Sequence, residues 1–398
     1  MMDLGQNGAL AMRRLRYDMK KETQFTHIAR PKAGLGTAVN PDITRASTLL
    51  FKKAEDLYRS DIRGYGRHGS AVHDALKEAF NLLEGGAGTS LFPSGLAACT
   101  YPILSQVKTG DHILLTDSSY GPTRYFCDGH LKKMGIETEI YDPRIGKDIE
   151  SLIRPNTSVI LLESPGSLTF EVQDIPAIVK VAQAYSITTI IDNTWSAGLS
   201  LNPLKMGVDI SCHAATKYFG GHSDTMSGAA ISRTDKHAKQ VALTAKYLGN
   251  ACSPDDAYQI LRGFRSIVPR FRQQEATSLA LATWLGEHPK VKQVLHPAHP
   301  THPDYEIWKR DFTGGGCIFS VVLHPCPEEE VLAFINALNL FGIGYSYGGF
   351  ESLAIHCDPQ LKRSASKSLG GPLVRFACGL EAMEDLKDDI EKAFNEIS

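Results

Sequence analysis

Lys217 lies in the segment SCHAATKYFGGHSDTMSGAA, residues 211–230, where its neighbours are small, hydroxyl-bearing or aromatic rather than charged. Most lysines are solvated surface charges, and that interpretation stays open for a single residue. A lysine amine that is removed from other charges can instead bond covalently to a carbonyl group or take up a proton. The segment therefore makes Lys217 a candidate for nucleophilic or acid–base chemistry.

Two further residues could complete a site for a flat, cationic ring. Asp192 ends the apolar run TTIID, and a carboxylate at the end of a buried strand is costly unless a cation meets it. A protonated pyridine nitrogen would be such a cation. Tyr120, which follows the apolar run HILLT, could stack on the face of the ring. The alternatives are that Asp192 caps a turn and that Tyr120 is a core residue.

Ser94, Gly95 and Leu96 in the segment LFPSGLAACTYPIL follow a short predicted strand and begin a predicted helix. Backbone N–H groups at a helix N-terminus bind anions such as phosphate, although the same residues could form an ordinary strand-to-helix turn. Together with a lysine, an aspartate and a stacking aromatic residue, a phosphate site describes pyridoxal 5′-phosphate (PLP), a cofactor that acts as an electron sink. No one of these elements decides the assignment alone.

The elements that must position these residues alternate between helix and strand from residue 71 to 230. The segment SAVHDALKEAFNLLEGG predicts a helix, because its apolar residues recur on one face, Ser70 can cap its start and Gly85 can end it. Buried strands are predicted for the apolar runs HILLT (112–116), SVILLE (158–163), TTIID (188–192) and VDISC (208–212). The pattern indicates an α/β fold with a mostly parallel sheet, which presents Glu163 and Asp192 at one edge.

We expect three parts in the chain. Residues 1–63 show little periodicity and are predicted to form an N-terminal arm that packs on a neighbouring subunit, with a disordered extension over the first dozen residues. Residues 64–254 are predicted to form the large α/β domain. Residues 255–398 begin with a polar helical stretch, continue with the segment GGGCIFSVVL and end in a charged helix, which predicts a smaller C-terminal α+β domain.

Composition excludes several classes of function. The chain has 398 residues, of which 42% are hydrophobic and 22% charged, as is typical of a globular protein with a buried core. Its formal net charge of −2 gives no electrostatic footprint for nucleic acid or for an anionic membrane. The apolar stretches are too short for a membrane span, and the N-terminal segment is the reverse of a secretory signal. We therefore expect a cytoplasmic protein that binds a small molecule.

The eight cysteines are scattered without any C-x-x-C spacing, so neither a structural zinc site nor a dithiol redox motif is predicted. Cys317 and Cys326 could pair, but cysteines in a chain of this size are more often small buried apolar residues. We expect no metal, and a reducing compartment fits best.

Longer motifs give the chain a family resemblance. From about residue 60 to 385 it resembles the cystathionine and methionine metabolism family of PLP enzymes. The motifs, in the family's order, are YGRHG (65–69), LEGGAG (83–88), LLESPGS (161–167), IIDNTWSAG (190–198), ATKYFGGHSD (215–224), WKRDFTG (308–314) and YSYGGFESL (345–353). The resemblance implies an aspartate-aminotransferase-like (fold type I) PLP domain, a small C-terminal domain, and a homotetramer built from active dimers.

The resemblance also implies roles for the residues that bind the cofactor. Lys217 would bond to it covalently, Asp192 would pair with its pyridine nitrogen, and Tyr120 would stack on its ring. The phosphate would meet the backbone groups beside Ser94, the residues Gly95, Leu96 and Thr216, and, from a neighbouring subunit, Tyr65 and Arg67. Lys217 and Tyr120 would be the catalytic residues.

Substrate binding is implied for Arg375 in PLVRFACGLE, which matches the arginine that binds the substrate α-carboxylate, with Ser346 and Tyr65 nearby. The forked guanidinium suits a carboxylate better than a lysine would, although a surface ion pair is an open alternative for Arg375. The motifs are most similar to those of the family's bacterial β-lyases. They imply β-elimination of L-cystathionine, a sulfur amino acid, to homocysteine, pyruvate and ammonia.

Departures from the family pattern leave alternatives open. Ala214 stands where many members have a serine, so one phosphate hydrogen bond is expected to be absent. Tyr347 and Phe350 stand where the β-lyases carry a tryptophan and a tyrosine. A γ-lyase, a γ-synthase or another sulfur amino acid lyase of the family is therefore an alternative. A nicotinamide-dependent dehydrogenase is disfavoured because no G-x-G-x-x-G follows a strand, and a non-catalytic scaffold is disfavoured by an intact Lys217 and Asp192.

Overall fold

The computed structural model describes residues 19–365 and 368–397. The disordered extension predicted for the first dozen residues lies outside the described part of the chain. The described segment before residue 71 contains helix α1 (Lys21–His27) and short 3₁₀ turns at Ala54–Tyr58 and Gly66–His68. The backbone between these elements is irregular, as the lack of sequence periodicity predicts.

Helix α2 (Ala71–Glu84) begins and ends where its sequence predicts. Ser70 and His73 form a reciprocal capping box at its start, and Gly85 ends it with a φ of 78°, a left-handed conformation that favours glycine. Its apolar stripe is buried and consists of Val72, Leu76, Phe80 and Leu83. The helix is thus fixed at both ends and along one face.

Seven strands form the large sheet in the order β1-β7-β6-β5-β4-β2-β3. They are β1 (Gly88–Phe92), β2 (His112–Thr116), β3 (Glu137–Tyr141), β4 (Thr157–Glu163), β5 (Thr188–Asp192), β6 (Ile210–His213) and β7 (Gly228–Ser232). Within the described sheet, β7 alone runs antiparallel to its neighbours, and the pairs from β3 to β6 are parallel. The mostly parallel sheet and the four predicted strands are confirmed. The strand predicted at 208–212 is β6, which begins two residues later and ends one residue later.

The connections between these strands carry helices. They are α3 (Gly95–Gln106), α4 (Gly121–Tyr125), which continues into a π-helical turn, and α5 (Ile175–Ala184). Helix α6 (Asp235–Tyr247) comes after β7. Helices α7 (Pro254–Phe264) and α8 (Ile267–Leu285) follow. Phe264 of α7 packs with its ring centroid 5.4 Å from that of Phe80 and 5.2 Å from that of Phe219. This aromatic cluster joins α2, α7 and the segment that follows Lys217.

Five strands form a second, smaller sheet in the order β10-β11-β12-β9-β8. They are β8 (Val291–Leu295), β9 (Ile318–Leu323), β10 (Gly342–Ile343), β11 (Leu353–His356) and β12 (Leu373–Ala377), and they are accompanied by α9 (Tyr305–Asp311), α10 (Glu328–Ala337) and α11 (Met383–Ala393). The smaller α+β part is confirmed. Helix α8 packs into the hydrophobic cores of both parts, through Phe271 on the side of the large sheet and through Leu281 on the side of the smaller sheet. The boundaries at residues 63 and 254 stay predictions.

The eight cysteines are all free, including Cys317 and Cys326. Among residues 19–365 and 368–397, no group of three or more His, Cys, Asp or Glu side chains is placed to hold a metal ion. In the same two ranges, no helix has both the length and the apolar character that a membrane crossing requires.

Candidate active site

The carboxyl edge of the large sheet gathers the candidate residues. β4 ends at Glu163 and β5 at Asp192, and these two residues are direct register partners. Asp192 in turn pairs with Cys212 of β6, after which the chain turns past Lys217. Ligands bind beyond the carboxyl ends of parallel strands, so the topology of the sheet delivers these side chains to one site.

Lys217 is half-buried and bonded to a neutral group. Its Nζ donates a hydrogen bond to Ser346 Oγ (2.8 Å) and lies 5.1 Å from the centroid of the Tyr347 ring. Burial, reinforced by the positive charge of Arg375, lowers the pKa of the Lys217 amine to about 8, although Asp192 acts in the opposite direction. An amine with this pKa can lose and regain a proton near neutral pH, which an ordinary surface lysine does not do.

Asp192 is held by its neighbour Thr194. Its Oδ1 accepts hydrogen bonds from the backbone N–H of Thr194 (3.0 Å) and from the Thr194 hydroxyl (2.5 Å). Its Oδ2 meets the thiol of Cys99 at 3.5 Å, and a thiol is a weak donor. Asp192 therefore has a fixed orientation and one oxygen with acceptor capacity left for a cationic N–H group.

The N-terminus of α3 is a candidate phosphate site. Ser94 caps the helix by accepting the Ala97 N–H (3.2 Å), while helix geometry leaves the N–H groups of Gly95 and Leu96 without intrahelical acceptors. A Cβ at Gly95 would lie 2.4 Å from the Cβ of Ala214. Only glycine therefore lets the helix approach the segment before Lys217 so closely.

Thr216, the residue before Lys217, is fixed by hydrogen bonds to Ser227. Its hydroxyl donates to Ser227 O (3.1 Å) and accepts from Ser227 N (3.1 Å). Ser227 immediately precedes β7, and its hydroxyl donates to Phe92 O at the end of β1 (3.1 Å). The structure thus brings the predicted phosphate-binding residues of this chain together beside the lysine.

Arg375 and Lys217 meet at Ser346. The guanidinium Nη2 of Arg375 donates to Ser346 O (3.4 Å), while the Ser346 hydroxyl accepts from Lys217. Ser346 has a φ of 140°, a conformation that side chains other than glycine rarely adopt. Burial lowers the pKa of the Arg375 guanidinium, which still stays protonated. Two cationic groups beside one strained serine form a site for an anion such as a carboxylate.

Tyr120 lies at the start of α4 with 46% of its surface exposed. Its backbone N–H donates to Glu163 Oε2 (2.6 Å). Burial of its hydroxyl and the negative charges of Asp192 and Glu163 raise the pKa of the Tyr120 phenol. The phenol therefore stays protonated at neutral pH and can act as a proton donor.

Tyr65 and Arg67 lie apart from this edge of the sheet. Arg67 Nη1 donates to Lys246 O (3.3 Å), and its guanidinium carbon is 5.8 Å from the centroid of the Tyr65 ring. In the part of the chain that the structure describes, no hydrogen bond, ion pair or ring contact joins either residue to Lys217, Asp192 or Tyr120. Their contribution to the site of a neighbouring subunit stays a prediction.

The three departures from the family pattern have different surroundings. Ala214 donates its backbone N–H to Thr194 Oγ1 (2.9 Å) and packs against Gly95. Tyr347 lies against Lys217, whereas Phe350 is 52% exposed. The absence of one phosphate hydrogen bond at Ala214 stays a prediction.

Sequence reasoning missed a buried network behind the site. Glu84 Oε1, at the end of α2, accepts hydrogen bonds from Asn193 Nδ2 (2.9 Å) and is bonded to His213 Nε2 (2.7 Å). Asn193 follows Asp192, and His213 ends β6, so a single carboxylate ties two strand ends together. A glutamate in the last turn of an amphipathic helix gives no sequence signal for such a role.

The groups present fit PLP. The free N–H groups of α3 suit a phosphate, an amine of lowered pKa at Lys217 suits an aldehyde, and Asp192 Oδ2 suits a protonated pyridine nitrogen. The exposed ring of Tyr120 is available for stacking. A dinucleotide would require a glycine-rich turn after β1, and the segment there, LFPSGLAA, has Gly95 alone.

Comparisons with known proteins support the same cofactor. Residues 22–395 match the family model described as Cys/Met metabolism PLP-dependent enzyme. The cystathionine beta-lyase of Haemophilus influenzae is 41% identical over 396 residues, covering 96% of this chain and 99% of that protein. The L-alanine/L-glutamate racemase of Wolbachia pipientis is 37% identical over 399 residues, covering 94% and 97%. The crystal structure of cystathionine gamma-lyase from Lactobacillus plantarum, complexed with L-serine, superposes with a TM-score of 0.87 at 29% identity, covering 95% of this chain and 99% of that one.

Proposed function

The chain belongs to the family of Cys/Met metabolism PLP-dependent enzymes, and on that basis we propose that it is a cystathionine β-lyase. It would cleave L-cystathionine by β-elimination to homocysteine, pyruvate and ammonia. The family, the fold class and the cofactor that the sequence predicts are confirmed by this membership. The name of the Haemophilus influenzae relative supports the reaction type, and the alternative of a nicotinamide dehydrogenase loses its basis.

When bound, PLP supplies an electron sink for the negative charge that develops at the substrate Cα. In our proposal Asp192 holds the pyridine nitrogen protonated, through the oxygen that Thr194 leaves open. The N-terminus of α3 and Thr216 bind the phosphate. Because a shift of one pKa unit corresponds to about 1.4 kcal/mol, even a modest effect of Asp192 on the ring nitrogen favours the protonated form strongly.

Lys217 would hold the cofactor covalently, and its amine, when free, would accept the Cα proton of the substrate. The pKa of about 8 makes this feasible at neutral pH. Relative to an ordinary lysine, the unprotonated fraction at pH 7 rises on the order of 300-fold. The bond to Ser346 fixes the direction from which the amine approaches.

Arg375 binds the substrate α-carboxylate. Its guanidinium donates one hydrogen bond to a backbone carbonyl at 3.4 Å, and no carboxylate among the described residues forms an ion pair with it. Ser346 joins this group to Lys217. The carboxylate and the Cα proton of one substrate would therefore face two adjacent residues, which orients the bond that must break.

Tyr120 donates a proton to the departing sulfur. Burial and the nearby carboxylates keep its phenol protonated, as a general acid requires. Lys217, having taken up the Cα proton, is the alternative donor. Water then converts the remaining three-carbon fragment to pyruvate and ammonia.

A second copy of the chain completes the site with Tyr65 and Arg67, and active dimers pair into a homotetramer. Two observations support this proposal. Both residues lie apart from Lys217 within one chain. The irregular segment that precedes them also exposes large apolar side chains, among which Leu35, Leu50 and Tyr58 are 109%, 94% and 88% exposed, as expected of a surface that another subunit covers.

The observation that carries the proposed function is the meeting of Lys217 and Arg375 at Ser346. Its test is incubation of the PLP-loaded enzyme with L-cystathionine, followed by identification of the keto acid and the thiol. Pyruvate and homocysteine in equal amounts support β-elimination. 2-Oxobutyrate and cysteine would reassign the protein as a γ-lyase. Formation of D-alanine from L-alanine without cleavage of cystathionine would make it a racemase, like the Wolbachia relative.

A further inference from the structure

Glu163 is a second carboxylate at the carboxyl edge of the large sheet, and the proposed reaction gives it no role. It ends β4 beside Asp192, its register partner at the end of β5. Its Oε2 accepts the backbone N–H of Tyr120 (2.6 Å), and its Oε1 accepts the hydroxyl of Ser167 (2.5 Å). Both oxygens are thus engaged by groups of the site.

The contact with Glu163 holds the backbone of Tyr120 to the edge of the sheet. Within the described residues its hydroxyl makes no hydrogen bond and its ring forms no aromatic pair, and nearly half of its surface is exposed. Its backbone N–H precedes the helical part of α4, so no earlier turn of that helix holds it. Its carbonyl accepts the Arg124 N–H of α4 (3.1 Å), so α4 holds the backbone of Tyr120 on one side and the short bond to Glu163 holds it to the edge of the sheet on the other.

We propose that Glu163 is a positioning residue that sets the orientation of the Tyr120 ring against the bound cofactor. The inference rests on the proposed stacking role of Tyr120, but not on the identity of the substrate. It requires Glu163 to act as a hydrogen-bond acceptor rather than as a charge.

The surroundings of Glu163 agree with an acceptor role. Burial and the negative charge of Asp192 raise the pKa of Glu163 to about 8, although the donors on Ser167 and Tyr120 and the charge of Arg363 oppose the rise. A proton on Oε1 could be donated to the Ser167 oxygen while Oε2 still accepts from Tyr120. Glutamine, a neutral acceptor of the same shape, should therefore replace Glu163 well.

The test compares Glu163→Gln with Glu163→Leu, which keeps the volume but cannot accept a hydrogen bond. Each variant is loaded with PLP, and the visible circular dichroism of the bound cofactor, its dissociation constant and kcat/KM are measured. Glu163→Leu should lose most of the visible dichroism and lower kcat/KM roughly 100-fold, the scale of a displacement near 1 Å. Glu163→Gln should keep the dichroism of the parent.

Two controls separate positioning from structural support. Glu171 is a buried carboxylate on the same segment and accepts the Thr169 hydroxyl (2.6 Å), so Glu171→Leu should leave the dichroism unchanged. In a Tyr120→Ala background the backbone N–H persists but there is no ring to orient. Glu163→Leu should then cause no further change in cofactor affinity or dichroism.

Three results would overturn the inference: unchanged dichroism in Glu163→Leu, a loss in Glu163→Gln as large as that in Glu163→Leu, or an undiminished effect of Glu163→Leu in the Tyr120→Ala background. If Glu163→Leu does not fold, Glu163→Ala, which also lacks an acceptor, takes its place, and its dichroism in the parent and in the Tyr120→Ala background decides by the same criteria. The dichroism and the dissociation constant need no turnover of cystathionine. A wrong substrate assignment would therefore leave this test intact.

Discussion

Ser346 offers a pair of variants that should lose the same activity but differ in stability. Its φ of 140° is strained for any residue with a Cβ, and its hydroxyl accepts from Lys217. Ser346→Gly removes both the strain and the acceptor, whereas Ser346→Ala removes the acceptor alone. The pair of variants therefore separates the two contributions.

The magnitudes follow from these two features. Relief of backbone strain should raise the free energy of unfolding by about 1–3 kcal/mol. The greater conformational freedom of glycine in the unfolded chain lowers it by about 0.5–1 kcal/mol. Ser346→Gly should thus be more stable than Ser346→Ala by about 1 kcal/mol, within extremes of about 0 and 2.5 kcal/mol. A hydrogen bond to a charged amine is worth about 1.5–3 kcal/mol, so both variants should lose about 10- to 150-fold in kcat/KM.

The assay is thermal unfolding of the PLP-loaded variants at one protein concentration, together with steady-state kinetics. Ser186, with a φ of 57° in the turn before β5, provides the matched control. Ser186→Gly should raise the melting temperature slightly and leave kcat/KM unchanged. A Ser346→Gly variant no more stable than Ser346→Ala would refute the strain, and full activity in both would refute the role of the hydroxyl.

Four further predictions follow from the site and the core. Lys217→Ala should be inactive, and borohydride reduction of the parent followed by peptide mass mapping should place the cofactor on Lys217; a label elsewhere would contradict the cofactor site. Arg375→Ala should lower kcat/KM for cystathionine about 10- to 100-fold while keeping the visible absorbance of the cofactor, and an unchanged KM would argue against carboxylate binding. Mixed oligomers of inactive Arg67→Ala and inactive Lys217→Ala chains should regain activity if each site uses two chains, and no recovery would mean that one chain suffices. Burial lowers the pKa of His296 to about 3, so the unfolded chain binds more protons than the folded chain between about pH 3 and 6.5. The free energy of unfolding should therefore fall below pH 6.5 by up to about 1.4 kcal/mol per pH unit. A His296→Asn variant whose free energy of unfolding, measured by urea titration, has the same dependence on pH would refute this.

The local elements of the fold could be predicted because their signals are local. The run TTIID became β5 with the same bounds, and α2 begins and ends at the capping residues that the sequence shows. Strand β7 was not predicted, because its sequence GAAIS is short and consists mostly of residues with small side chains. Its antiparallel direction depends on neighbours far away in the chain. Strand direction of this kind is set by tertiary pairing rather than by composition.

The site was predictable in its residue types but not in its contacts. Spacing and the family resemblance identify Lys217 and Asp192, whose strand ends the sheet topology brings together. The bond between Lys217 and Ser346 joins two loops that follow strands of different sheets, and no pattern within either segment indicates it. The bond from Tyr120 to Glu163 uses a backbone N–H, and such a donor is present in every residue but proline. The sequence therefore does not indicate that Glu163 is the acceptor for this N–H group.

The pairing of β1 with β7 has a consequence for synthesis on the ribosome. Gly88 lies opposite Ser232, and a Cβ at Gly228 would lie 2.3 Å from Ser94 O, so the start of α3 rests on the last strand of the large sheet. Chains emerge N-terminus first, and pairings between distant segments form late. The nascent chain cannot complete its phosphate site until β7 has emerged, and Ser346 and Arg375 follow later still. The residues proposed to bind the phosphate within one chain therefore leave the ribosome before those proposed to bind the substrate carboxylate.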